Sequence, residues 1–184
     1  EQNTAGNSPL FPQLRTSEFL MVRPEAYFKW SFGNSGWALS GNVIGQIADE
    51  RLPEQQQWVL GGANTISAYL PGVMVGDSGY FTSGSVSKEW KTESGSKYTI
   101  SGFVEYGTSW YEDFQSDDFD QTDLEIADAG IRFAAQIGKV FTIDAVAADS
   151  FMEEGFADSD DDSINTDFLD RAKADFIMNL RMTF

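Results

Sequence analysis

The stretch DFIMNLRMTF, residues 175–184, decides the fold. Phe176, Met178, Leu180, Met182 and Phe184 alternate with Asp175, Ile177, Asn179, Arg181 and Thr183, a strict period of two that marks a strand with one apolar face. The same period recurs upstream in six segments. In 26–32, Ala26, Phe28, Trp30 and Phe32 oppose Tyr27, Lys29 and Ser31; in 37–47, Trp37, Leu39, Val43 and Ile47 oppose Ser40, Asn42 and Gln46. In 80–90, Tyr80, Val86 and Trp90 share one face, and Phe81, Ser83, Ser85, Ser87 and Glu89 the other. In 98–110, Tyr98, Ile100, Val104, Tyr106 and Trp110 stand against Thr99, Ser101, Phe103, Glu105 and Ser109. Segments 125–137 and 140–151 carry Ala127, Ala129, Ile131, Phe133, Ala135, Ile137 and then Phe141, Ile143, Ala145, Ala147 as apolar faces. The expectation is seven strands and an all-β fold.

Composition narrows the chemistry. The chain has 184 residues, 12 Lys plus Arg against 29 Asp plus Glu for a formal charge of −17, and neither His nor Cys. Thiol nucleophiles, Ser-His-Asp catalysis, N/S zinc sites and His-ligated haem are excluded, and any metal would have to sit on oxygen. A strongly acidic chain lacks the basic stripe that displaces counterions from nucleic acid, so no nucleic-acid partner is expected. With 41% hydrophobic residues and 26 aromatics (15 Phe, 6 Tyr, 5 Trp), global disorder is excluded. No run of 18 apolar residues occurs, and the polar start EQNTAGNSPL reads as a mature or truncated end rather than a signal peptide.

Segment length separates two all-β readings. Soluble strands average about five or six residues, whereas strands that cross a bilayer at a tilt need about 9 to 11. The segments here are long, and their connections alternate: short at 33–36, 91–97 and 138–139, long and polar at 49–78, 111–123 and 152–168. Short turns on one rim and long loops on the other are expected of an antiparallel outer-membrane β-barrel. Trp37, Trp90, Tyr98 and Trp110 at segment ends fit interfacial girdles better than a soluble β-sandwich, the alternative that also alternates. Phe176, Met178, Leu180, Met182 and Phe184 resemble the terminal signal that bacterial outer-membrane barrels present to their assembly machinery.

A more specific resemblance begins in the first long connection. Leu52, Pro53, Gln57, Leu60-Gly61-Gly62, Ile66-Ser67-Ala68-Tyr69 and Gly76-Asp77-Ser78-Gly79-Tyr80 resemble the sixth extracellular loop and following strand of two-partner secretion transporters. These transporters share a superfamily with the outer-membrane barrel-assembly protein. Phe103-Val104-Glu105-Tyr106-Gly107 resembles the family's F-x-D-x-G strand motif, and Ala127-Asp128-Ala129-Gly130-Ile131 followed by Arg132 is a third match in the family's order.

The resemblance implies a 16-stranded barrel whose sixth loop folds into the lumen, its V-R-G-[YF] tip touching the acidic residue of F-x-D-x-G. It implies a pore that exports a secreted partner protein, with outer-membrane lipids and lipopolysaccharide around it and no cofactor or enzymatic activity. The lumen-loop residues would be Gly61, Gly62, Ile66, Ser67, Ala68, Tyr69, Gly76 and Asp77, and the inward wall residues Phe103, Glu105, Gly107 and Arg132. Ser67 stands where the family has Arg, Ala68 where it has Gly, and Glu105 where it has Asp, so the usual ion pair cannot form in that way. Glu105 is then either a solvated lumen carboxylate or paired with Arg132, which is expected roughly opposite Gly102.

Seven strands with short periplasmic turns cannot close antiparallel, so an incomplete barrel is expected. The resemblance implies that residues 1–184 are the C-terminal seven strands of sixteen, with loop segment 50–78 and without the first nine strands and periplasmic modules. Residues 1–18 could supply part of an eighth strand, although Pro9 and Pro12 restrict ladder pairing. Acidic residues gather in two long loops, Glu112 to Asp123 and Glu153 to Asp167, and read as solvated. Asp158, Asp160 and Asp162 resemble the start of a calcium loop, but Ser163 replaces the turn Gly and Leu169 the bidentate Glu. A passive diffusion porin and a small structural or adhesive barrel are the competing functions.

Overall fold

The computed structural model describes residues 19–112, 124–138, 140–155 and 169–182. In chain order its strands are β1 (Met21–Val22), β2 (Glu25–Ser31), β3 (Trp37–Ala48), β4 (Trp58–Leu60), β5 (Met74–Gly76), β6 (Ser78–Lys91), β7 (Lys97–Trp110), β8 (Leu124–Ile137), β9 (Phe141–Glu154) and β10 (Phe176–Met182). All seven alternating segments coincide with strands of one sheet in which every neighbour is antiparallel and the order is β3-β6-β7-β8-β9-β10, with β1 and β2 both on the outer side of β3. β1 and β2 pair with successive stretches of β3, Ile47–Ala48 and then Ala38–Ile44, and behave as one strand bent at Pro24. Proline has no N–H for the ladder, yet its carbonyl still accepts from Gly45 N–H at 2.9 Å. Among the described residues nothing pairs with the outer edges of β2 or β10, so the sheet is an open section of a β-barrel.

Strands β6 to β9 are 14 residues long each, the length of membrane-crossing rather than soluble strands. Register sorts their residues onto two faces. One face carries Trp30, Leu39, Val43, Val86, Val104, Ile131, Met178 and Leu180, all exposed. A soluble sandwich would cover such a surface with a second layer; among the described residues none covers it, an arrangement compatible with the lipid-facing side of a barrel. Aromatic rings gather at its two rims: Trp90 stacks on Tyr98 (centroids 5.9 Å) and Tyr98 on Phe133 (6.5 Å) at the short-turn rim, and Tyr80 meets Tyr106 (5.7 Å) at the other. Tyr80 and Trp90 bracket ten residue steps of β6, about 33 Å along a strand, which a tilt of about 40° reduces to about 25 Å, the height of an outer-membrane apolar band.

The opposite, inner face is where the core lies. The connection between β3 and β6 does not project outward. It lies on the inner wall, burying Trp58, Leu60, Ile66, Tyr69 and Met74 against Phe81, Phe103, Ile126 and Val146 of the strands, with Leu169 joining from the segment before β10. Residues 1–18, the Asp158-Asp160-Asp162 pattern, most of the two acidic loops, and Phe184 lie outside the described residues.

Candidate functional site

The loop is launched by a clamp at its base. Asp77, fully buried, accepts Leu52 N–H on Oδ1 (2.9 Å) and Glu112 N–H on Oδ2 (3.1 Å), while its own N–H donates to the Trp110 carbonyl at 2.8 Å. Gln46, on the inner face of β3, donates to the carbonyls of Gln56 (3.0 Å) and Asp77 (2.7 Å) and accepts from Arg23 Nε (2.6 Å). Both legs of the loop are therefore tied to the wall before the tip begins. The β4–β5 hairpin carries the chain inward to Gly61 and Gly62, whose φ of 114° and 89° are open to glycine and strained for other residues. Gly62 N–H then closes the tip on the Tyr69 carbonyl at 2.7 Å.

The tip, Ile66 to Tyr69, is buried throughout. Two consecutive backbone amides dock on two carboxylates: Ser67 N–H donates to Glu105 Oε2 at 2.9 Å and Ala68 N–H to Asp128 Oδ2 at 2.7 Å. Glu105 and Asp128 face each other directly across the β7–β8 ladder, so their spacing matches that of adjacent amides. Arg132 completes the cradle, donating from Nη2 to the Ala63 carbonyl (2.8 Å), to Ser67 Oγ (3.4 Å) and to Glu105 Oε1 (3.5 Å), with its guanidinium 4.9 Å above the Phe103 ring. Gly107 leaves room for the tip: a Cβ there would lie 2.6 Å from Leu60 Cδ1 and 3.0 Å from Ile66 Cδ1.

Where the resemblance implies a cation on the loop tip, the cation, Arg132, stands here on the wall, and the tip answers with backbone N–H groups, which need no particular side chain at positions 67 and 68. Gly61, Gly62, Ile66, Ser67, Ala68, Tyr69, Phe103, Glu105, Gly107 and Arg132 are brought together, whereas Gly76 and Asp77 serve the base of the loop. Phe176, Met178 and Leu180 project from the outer face, more than half exposed, away from the site.

Three expectations are corrected. Arg132 pairs with Ser101 rather than Gly102. Arg132 still faces inward and, four residues along β8 from Asp128, the ladder partner of Glu105, reaches Glu105 Oε1 at 3.5 Å, so of the two readings of Glu105 the pairing with Arg132 is the one found. Glu153 and Glu154 are not loop residues: β9 runs through both, with an irregularity in its pairing at Ala127/Asp128. Glu153 is held in the strand by inner-face partners, accepting from the Tyr69 and Ser150 hydroxyls and pairing with Lys173 Nζ at 3.3 Å. Glu112 is likewise bound, accepting from Ser78 Oγ (2.7 Å) and Trp110 Nε1 (3.0 Å).

Sequence reasoning also missed contributors to the site. Asp128 lies within a quoted motif but was not expected to bind the tip; the signal was a carboxylate on the face opposite Ala127 and Ala129, where a bilayer strand tolerates charge only with a partner. Ser150, Glu153 and Lys173 give no local signal, since their shared partner Tyr69 is at least 81 residues away. The Tyr69 phenol donates to Glu153 and lies 3.0 Å from the Ser150 hydroxyl, and burial followed by that carboxylate raises its pKa well above the usual tyrosine range, so it stays a donor.

An antiparallel array with an apolar outer face and a long loop packed on its inner face is a partial β-barrel. Residues 2–132 match the family model described as Haemolysin secretion/activation protein ShlB/FhaC/HecB, and the chain belongs to that family of two-partner secretion transporters. The match spans β1 to β7, the inward loop, and β8 as far as Arg132. No curated protein and no solved structure matches the chain at a significant level.

Proposed function

We propose that this chain is the C-terminal part of an outer-membrane pore that exports a secreted partner polypeptide, and that the loop over residues 61–72 is its lumen plug. The observation that carries the reading is the docking of two successive tip amides on Glu105 and Asp128, with Arg132 beside them. A loop held by hydrogen bonds and packing, with no covalent tie, can be displaced by an entering client and can return. In the complete barrel, seven strands of sixteen would come from this chain, lipid and lipopolysaccharide would cover the outer face, and the barrel-assembly machinery would read Phe176, Met178, Leu180, Met182 and Phe184. Periplasmic modules encoded upstream would receive the client. Neither an enzymatic step nor a cofactor is part of this reading. A passive porin needs an open lumen, whereas here the loop fills the inner wall.

Deleting residues 61–72 from the complete barrel tests the proposal. Conductance in planar bilayers is expected to rise while export of the partner falls about tenfold or more, since the gating element has gone. Unchanged conductance would place the loop outside the pore.

A further inference from the structure

We infer that residues 169–174 form a strap that ties the loop tip to β10, so that the loop leaves the wall only when the strap peels away from it. The inference rests on the pore reading and adds a second holding point that the wall cradle does not supply. A helical turn over 169–172, closed by Lys173 N–H on the Leu169 carbonyl (3.0 Å), sets the strap against the core through buried Leu169. From there the strap runs antiparallel to the tip, with Tyr69 and Lys173 paired as an isolated bridge. Leu70 N–H donates to the Ala172 carbonyl and Ala174 N–H to the Ala68 carbonyl, both at 2.8 Å.

The bridge is locked by side chains on β9. Glu153 accepts from the Tyr69 phenol and pairs with Lys173 Nζ, so one carboxylate holds both partners of the bridge. The tip is thus clamped between the Glu105–Asp128 wall on one side and the strap on the other. One residue, Asp175, separates Ala174 from β10. β10 is an edge of the described sheet, and a closed barrel must pair that edge at its seam. Movement of the tip is therefore transmitted by a short, hydrogen-bonded link to the strand at the seam.

Residues 1–184 contain no cysteine, so an introduced pair is unambiguous once any cysteine elsewhere in the complete barrel is replaced. The flanking bonds make Tyr69 and Lys173 a non-hydrogen-bonded pair, the geometry in which cross-strand side chains approach closely enough for a disulfide. In the complete barrel carrying Tyr69→Cys and Lys173→Cys, oxidation is expected to cut client export to below about a tenth of the reduced form, with recovery on reduction. Lys173→Met, which keeps the backbone bridge and removes the ion pair, is expected to raise the open fraction in planar bilayers about threefold to fivefold. Assembly of each variant is checked by heat-modifiable migration. A fully oxidised barrel exporting at the reduced rate, or a Lys173→Met barrel with wild-type opening, overturns the strap. Crosslinking positions 67 and 105 through Ser67→Cys and Glu105→Cys separates the two failures. If that crosslink blocks export and the 69–173 disulfide does not, the strap alone falls; if neither blocks export, the pore reading falls and the strap with it.

Discussion

Tyr69→Ala is expected to release the loop tip from the inner wall. Tyr69 is fully buried in the core that the loop makes with β7, β8 and β9, and truncating a buried aromatic costs about 3–5 kcal/mol through lost transfer energy and the cavity left behind. The same change strips Glu153 of a hydroxyl donor. Tyr69→Phe isolates that second contribution and is expected to cost about 1–2 kcal/mol, because the ring still fills its site. Hydrogen exchange reads the outcome at Gly62 and Leu70, whose amides donate to the Tyr69 and Ala172 carbonyls. Both amides should lose protection strongly in Tyr69→Ala and weakly in Tyr69→Phe, while amides in the centres of β7 and β8 keep theirs. Equal protection in wild type and Tyr69→Ala would mean that the ring does not hold the tip.

Glu105→Ala is expected to have the other large effect. Its carboxylate satisfies Ser67 N–H and lies 3.5 Å from the Arg132 guanidinium, so removing it leaves a buried donor without its acceptor and takes the ion-pair partner from Arg132, which keeps the Ala63 carbonyl. Losses of this kind cost about 2–4 kcal/mol, with the solvent that reaches Arg132 holding the figure below that of a fully buried pair. Glu105→Gln keeps an acceptor for the amide and should cost roughly half as much. Limited proteolysis of the loop, scored as the rate of cleavage between residues 61 and 72, orders the variants wild type, Glu105→Gln, Glu105→Ala. Ser67→Arg should not tighten the loop, because Arg132 already sits 3.4 Å from Ser67 Oγ and the site has no exposed space at position 67.

Much of this was legible in the sequence because period-two alternation is a local signal. Residues such as Phe176, Met178 and Leu180, or Ile131 and Phe133, declare their face without knowledge of any partner. The bend at Pro24 and the three-residue strands Trp58–Leu60 and Met74–Gly76 were not legible, since elements that short carry too few residues to display a period. The site divided along the same line. Glu105, Arg132 and the Gly61–Tyr69 tip could be singled out because charge on an inward strand and paired glycines have local meanings. How they meet depended on a register that sequence placed one residue away, at Gly102 instead of Ser101. Lys173 and Glu153 reach Tyr69 only through the sheet and the chain reversal before β10, and no spacing rule announces a contact of that range.

The central claim is that the tip rests on the β7–β8 wall inside the barrel. Its most direct test is a thiol crosslink between positions 67 and 105 in a folded, membrane-inserted barrel that contains no other cysteine. With Ser67→Cys and Glu105→Cys, which leave the Asp128 and Arg132 bonds to the tip and the packing of Ile66 and Tyr69 in place, and a short bis-thiol reagent, the wall-docked loop predicts crosslinking that fades when an exporting client occupies the pore. A barrel that is folded and inserted yet yields no crosslink at any client concentration would place the loop outside the lumen and contradict the account.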